Sequence, residues 1–132
     1  MSIDYQVSED GLKIETHPKG KLDIKDTLVY FESLKTDGNI KQGAIEIVYF
    51  KHVTDFEISY QESERITRSY QKPKALQKIK ATIFICESTI AYGIGRMLQT
   101  MHEIANPDQQ VLVLRSEKDL EKFILSDAQT IL

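Results

Sequence analysis

The chain has 132 residues, 41% hydrophobic and 28% charged, with a formal net charge of −3 and a mean hydropathy of −0.33. That composition belongs to a folded domain of ordinary size and excludes a disordered, collagen-like or disulfide-stapled chain. With one cysteine, Cys86, no disulfide can form within the chain, and a surplus of acid over base excludes the broad positive field of a nucleic-acid binder.

The first ten residues, MSIDYQVSED, hold no basic stretch followed by an apolar run. No apolar segment approaches the roughly 18 residues that a membrane span needs. The expectation is a cytoplasmic protein with neither a signal peptide nor a transmembrane segment. Charge is unevenly spread all the same. Residues 1–64 hold seven Lys/Arg and 13 Asp/Glu, residues 65–80 six and none, and residues 81–132 four and seven.

Ile3, Tyr5 and Val7 alternate with polar residues, as do Leu12, Ile14 and Thr16. Across the Glu9-Asp10-Gly11 turn, this predicts an antiparallel hairpin at the sheet edge with one wet face. Pro18-Lys19-Gly20-Lys21 breaks the pattern. Asp23 opens a helix, with Asp26 in a variant of the capping box and Leu28, Phe31, Leu34 and Ile24 on its inner face. Thr36 to Asn39 ends it, with Gly38 suited to a left-handed cap. Ala44 to Phe50, AIEIVYF, reads as a strand buried on both faces, and Lys51 to Ile58 as a loop.

Ser59 to Gln71 predicts a helix capped by Ser59 with Glu62 three residues on. Apart from Tyr60, Ile66 and Tyr70 it is polar, so core burial holds it weakly. Pro73 ends it. Ile79 to Cys86 is a second buried strand. Ser88 or Thr89 caps the next helix, whose apolar stripe is Ile90, Ile94, Met97, Leu98, Met101, Ile104 and Ala105. Asn106-Pro107-Asp108 stops that helix, and Val111 to Leu114 is a third buried strand. Ser116 with Asp119 starts a last helix, with Leu120, Phe123 and Ile124 inward. A single domain spanning 1–132 is expected, with a loose tail over 126–132. Strands alternating with four helices predict an α/β fold, its sheet mostly parallel with an antiparallel N-terminal edge hairpin.

Two segments carry a family resemblance. Gly20-Lys21-Leu22-Asp23 resembles the G-E-L-D that opens the first helix of the STAS domain, the fold of SpoIIAA-like anti-sigma-factor antagonists. Val53 to Tyr60, VTDFEISY, stands where that family has V-x-F-I-D-S-S-G. A third segment, Ala91-Tyr92-Gly93-Ile94-Gly95-Arg96-Met97, with the closing VLVLRSEKDLEKFI, is similar to a divergent STAS-like group of small bacterial proteins whose helix reads A-Y-G-x-A-R-M. The resemblance implies a STAS architecture and a regulatory, protein-binding module without catalysis or cofactor. It also implies a loop serine, here Ser59, that takes a phosphate. Glu57, Ile58 and Tyr60 depart from the family's aspartate, serine and glycine. Because the divergent group is compared with the CRAL-TRIO lipid-binding fold, the resemblance leaves a second reading open: a binder of lipid or another apolar or amphipathic small molecule.

The partner surface expected from this is His52, Thr54, Asp55, Glu57, Tyr60 and Glu62. Its occupant is a regulatory protein or a second copy of the chain. Phosphate on Ser59 would sit at a helix N-terminus, where the dipole favours it; the plainer role of Ser59 is the cap itself. Gly93, Gly95 and Arg96 follow a buried strand and are a candidate anion site, although glycines there also let a helix approach a sheet. The basic segment from Arg65 to Lys80 suits an acidic surface or simply solvent. His17, His52 and His102 are scattered, so no metal is expected. Cys86, at the end of its strand, is the one thiol to consider as a nucleophile.

Overall fold

The computed structural model describes residues 3–57, 59, 61–62, 64–65, 68, 78–105 and 110–122. Expectations resting on Ile58, Tyr60, Ile66, Tyr70, Pro73, residues 106–108, Phe123, Ile124 and the tail lie outside these residues. So do those on the side chains of Met101, His102, Ile104 and Ala105, and most of the basic segment.

The described strands are β1 (Ile3–Val7), β2 (Lys13–Asp23), β3 (Ala44–Tyr49), β4 (His52–Glu57), β5 (Ile79–Ile85) and β6 (Gln110–Leu114). They form one six-stranded sheet of order β1-β2-β3-β5-β6, with β4 paired to β2. Only β1 and β2 are antiparallel; every other pairing is parallel. Helices α1 (Ile24–Thr36) and α2 (Thr89–Ala105) are crossovers described along their whole backbone. Residues 61, 62, 64, 65 and 68 are also helical, and a last helix begins at 117–122.

The hairpin turn is held by Asp10, whose carboxylate accepts from Leu12 N–H (3.0 Å) and Ser8 Oγ (2.6 Å). Gly11 has φ +73°, and a Cβ there would strike Asn39 O and Lys41. Glycine alone suits a left-handed position so tightly covered. β1 is the edge strand, but β2 is not, since it is paired on both sides.

Two expectations fail in β2 and β3–β4. Residues 18–21 do not break the strand; β2 runs on to Asp23. Its first half pairs with β3 up to Thr16, and its second half with β4 from Lys19. Pro18 falls at the changeover, so its missing N–H removes little from the parallel ladder. Correspondingly, residues 52–57 are strand rather than loop. After Phe50 and Lys51 the chain resumes beside the same neighbour, with a register shift at Gly20/Lys21. Phe50 and Phe56 pack edge to face there, with centroids 5.6 Å apart.

Asp23 caps α1, accepting from Asp26 N–H at 2.9 Å. The buried stripe of α1 is Thr27, Tyr30, Phe31 and Leu34, with Leu28 only half-buried. Burying Phe31 and Leu34 contributes about 1.5–3 kcal/mol each. The helix ends at Asp37 in extended conformation, and Gly38 does not take a positive φ. In α2 the cap is Ser88, whose Oγ accepts from Ala91 N–H at 3.0 Å. Ile90 is 72% exposed, outside the buried stripe of Ala91, Gly95 and Leu98. The helical phase is therefore set by Gly95, which faces the sheet. A Cβ on Gly95 would lie 2.8 Å from Cys86 Sγ and 3.0 Å from Val113 Cγ1.

The sheet is covered on both faces. Ile3, Ile14, Val48, Phe84 and Cys86 face α1 and α2. Ile47, Ile83 and Ile85 face the last helix through Leu120. In β6 only Val111 is buried; Leu112, Val113 and Leu114 are half-buried, as befits an edge.

Candidate functional site

β3 reads AIEIVY, and its alternation sends Ala44, Glu46 and Val48 to the face under α1 and α2. Glu46 is thereby carried into the interior, at 3% exposure. Its two carboxyl oxygens are separately satisfied. Tyr30 of α1 donates its hydroxyl to Oε2, and Thr82 of β5 donates to Oε1 at 2.8 Å. Thr16 Oγ1 of β2 lies 2.7 Å from the Tyr30 hydroxyl and shares a hydrogen bond with it. Four elements thus meet at one carboxyl group, and register explains why. Ile14 is opposite Glu46, and Glu46 is opposite Thr82.

Burial drives the Glu46 pKa upward, opposed by the hydrogen bonds from Tyr30 and Thr82. Among the described residues no Lys, Arg or His forms an ion pair with it. A buried carboxyl without a counter-ion favours its neutral form.

This polar group sits in the wall of a partly open cavity of about 60 Å³. β2 contributes Thr16, Pro18 and Leu22, and α1 contributes Thr27, Tyr30 and Phe31. Val48, Phe50, Phe84 and Leu98 complete an otherwise apolar lining. At 10–15 Å³ per water-sized group, that is room for about four such groups. The sequence reasoning missed this site. The available signal was a lone glutamate inside a seven-residue apolar run.

The residues singled out from sequence lie elsewhere. His52, Thr54, Asp55 and Glu57 are all exposed on β4, while Val53 and Phe56 are half-buried. Glu57 pairs with Lys21 of β2 at 2.7 Å, and that partner raises the Lys21 pKa. Ser59 is exposed and forms a reciprocal capping box: its N–H donates to Glu62 Oε1, and Glu62 N–H donates to its Oγ, both 3.1 Å. His52 thus shares with Asp55, Glu57 and Ser59 one exposed run of chain.

Gly93 and Gly95 lie beyond the first turn of α2, past its free amides. Gly95 is buried against the sheet, Gly93 borders open space, and Arg96 is exposed. Cys86 is buried rather than accessible, and burial pushes its thiol up to about 12, so it carries no thiolate at neutral pH.

His17 and His52, far apart in sequence, border one polar cleft of about 210 Å³ at the C-terminal ends of β3 and β5. Tyr49 and Glu117 also border it, and His17 stacks on Tyr49 with centroids 4.8 Å apart. Among the described residues no three His, Cys, Asp or Glu side chains converge as metal ligands would.

No protein-family model matches the sequence, and no curated protein does. Solved structures do match. One is an uncharacterised protein of the DUF3478 family from Shewanella loihica PV-4, described as having a SpoIIAA-like fold. It is 11% identical over 92% of this chain and 90% of its own, with a TM-score of 0.56. This chain has the SpoIIAA-like fold. The anti-sigma factor antagonist SpoIIAA in its unphosphorylated form also matches, at 11% identity and a TM-score of 0.47 over 92% of this chain and 96% of that one. Within the SpoIIAA-like fold the antiparallel pair β1–β2 and the parallel remainder agree with the sequence expectation. Among the described residues no helix is long and apolar enough to cross a membrane.

Proposed function

We propose that this SpoIIAA-like chain is a non-catalytic binding module that receives a small, largely apolar molecule between α1, α2 and the sheet. The observation that carries this reading is the cavity itself. It combines an apolar, aromatic-rich lining with one converging polar group, the Glu46–Tyr30–Thr16–Thr82 cluster. Small-molecule sites have this character: mostly apolar walls and a few placed polar groups that fix orientation.

Titration with 1-butanol, followed by amide NMR shifts, tests the reading. Shifts are expected at Glu46, Thr82 and Leu98, and Leu98→Trp, which fills the cavity, is expected to abolish them. Shifts scattered over the surface, or unchanged in Leu98→Trp, would sink it.

A specific observation also favours protein docking. β4 presents four exposed polar side chains, and it leads directly into the exposed Ser59 cap. This is the surface a regulatory partner would use, and added charge on Ser59 would change its field. The expected result is that an affinity pull-down recovers a protein with the native chain and loses it with Asp55→Lys/Glu62→Lys. Equal recovery by both chains would end this reading.

A further inference from the structure

From the cavity we infer the charge of its ligand: the geometry points to an apolar amine, whose ammonium group pairs with Glu46 against a wall of aromatic rings. This rests on the cavity being a ligand site, as proposed above.

Among the described lining residues Glu46 is the one carboxyl group, and there is no Lys, Arg or His. Among the described lining residues Tyr30 is the other titratable group; β2 and β5 contribute the hydroxyls of Thr16 and Thr82, and α2 contributes Leu98. A carboxylate or phosphate ligand would meet a group of its own sign or a neutral acid, with no cation among the described lining residues to receive it. An ammonium would meet the one described lining group that can ionise to complement it. The walls add to this preference. Tyr30, Phe31, Phe50 and Phe84 are all in the lining, with Phe50 and Phe84 stacked at 5.6 Å. Aromatic faces attract cations through their quadrupole, and do so most when water is excluded.

The hydroxyls of Tyr30 and Thr82 already donate to the two oxygens of Glu46, so its ionised form is partly stabilised in advance. The described lining residues supply no positive charge of their own. Where Glu46 holds a proton before a charged amine enters, that proton passes to solvent, leaving carboxylate and ammonium as a hydrogen-bonded pair. No bond to carbon changes. Because only about four water-sized groups fit, the buried part of the ligand is a short one.

The test compares n-butylamine, 1-butanol and butyrate on the whole chain, by NMR titration and calorimetry. The amine is expected to bind at least about tenfold more tightly than the alcohol, and butyrate more weakly than either. In buffers of different ionisation enthalpy, amine binding should release up to about one proton, and alcohol binding none. In Glu46→Gln the amine should lose its advantage while the alcohol still binds. The proton count in the native chain keeps the test decisive if that variant folds poorly. Alcohol binding as tight as the amine, no proton release, or an amine preference that survives Glu46→Gln overturns the inference and leaves the cavity reading standing. Failure of all three probes to bind overturns both.

Discussion

Glu46→Gln should turn a falling stability profile into a flatter one and gain on wild type as the pH rises toward neutral. The sign follows from burial. Desolvation raises the folded-state pKa of Glu46 above its unfolded value near 4.3. Between those two values the folded protein holds a proton that the unfolded chain has released. Stability is then lost as pH rises through that window, at up to about 1.4 kcal/mol per pH unit for one proton. Below about pH 4 both states are protonated, and the term is fully present. Glutamine has nearly the same shape, still accepts from Tyr30 or Thr82 through its carbonyl, and does not titrate. The difference between variant and wild type should therefore grow in favour of glutamine from pH 4 upward and then level off. Denaturant titrations at several pH values measure it. A difference that stays constant from pH 4 to 9 would mean that Glu46 titrates as an ordinary carboxylate and that burial is not governing it.

The two glycines of α2 should respond in opposite directions to the same substitution. Gly95→Ala places a methyl 2.8 Å from Cys86 Sγ and 3.0 Å from Val113 Cγ1. Neither atom is the end of a long side chain, so the helix must move away from the sheet, at a cost of about 1–3 kcal/mol. Gly93→Ala meets nothing within 4 Å. It removes backbone freedom from the unfolded chain and should stabilise by about 0.5–1 kcal/mol. Cys86→Ala should recover part of the Gly95→Ala loss, because it removes the nearer obstacle. A double-mutant cycle would then give a favourable coupling above about 0.5 kcal/mol. Equal losses at both glycines would refute close approach as the reason for Gly95.

That contrast also marks what the sequence could and could not convey. The spacing of Gly93 and Gly95 suggested one anion site, but only the phase of α2 separates a packing glycine from a free one. Ile90 obscured that phase. It looks like part of the stripe, but the stripe turns with Gly95. Capping was legible because it is local: Asp23, Ser59, Ser88 and Ser116 each accept from the amide three residues on. The buried strands were legible because Ile, Val and Phe leave little choice. Two things were not. Residues 52–57 look like a loop, since Thr54 and Asp55 adjoin and no alternation survives the register shift. Their strand pairing is imposed by β2, which is long enough to outlast β3. The cavity depends on register across three strands and on Tyr30, one residue away from the helix face that Leu28 and Phe31 suggested. No local pattern encodes which hydroxyls will meet a glutamate thirty-six residues away.

The divided partnership of β2 has a consequence for how the molecule opens. β3 is clamped between β2 and β5, whereas β4, among the described residues, is bonded to β2 alone. Release of residues 52–57 therefore breaks one ladder and leaves the β3–β5–β6 core paired. Amide hydrogen exchange should record this as a step in protection at Phe50–Lys51, slow before it and fast after it. On that outcome β4, with Val53 and Phe56 drawn from the core, and the Ser59 cap would open ahead of the rest of the fold.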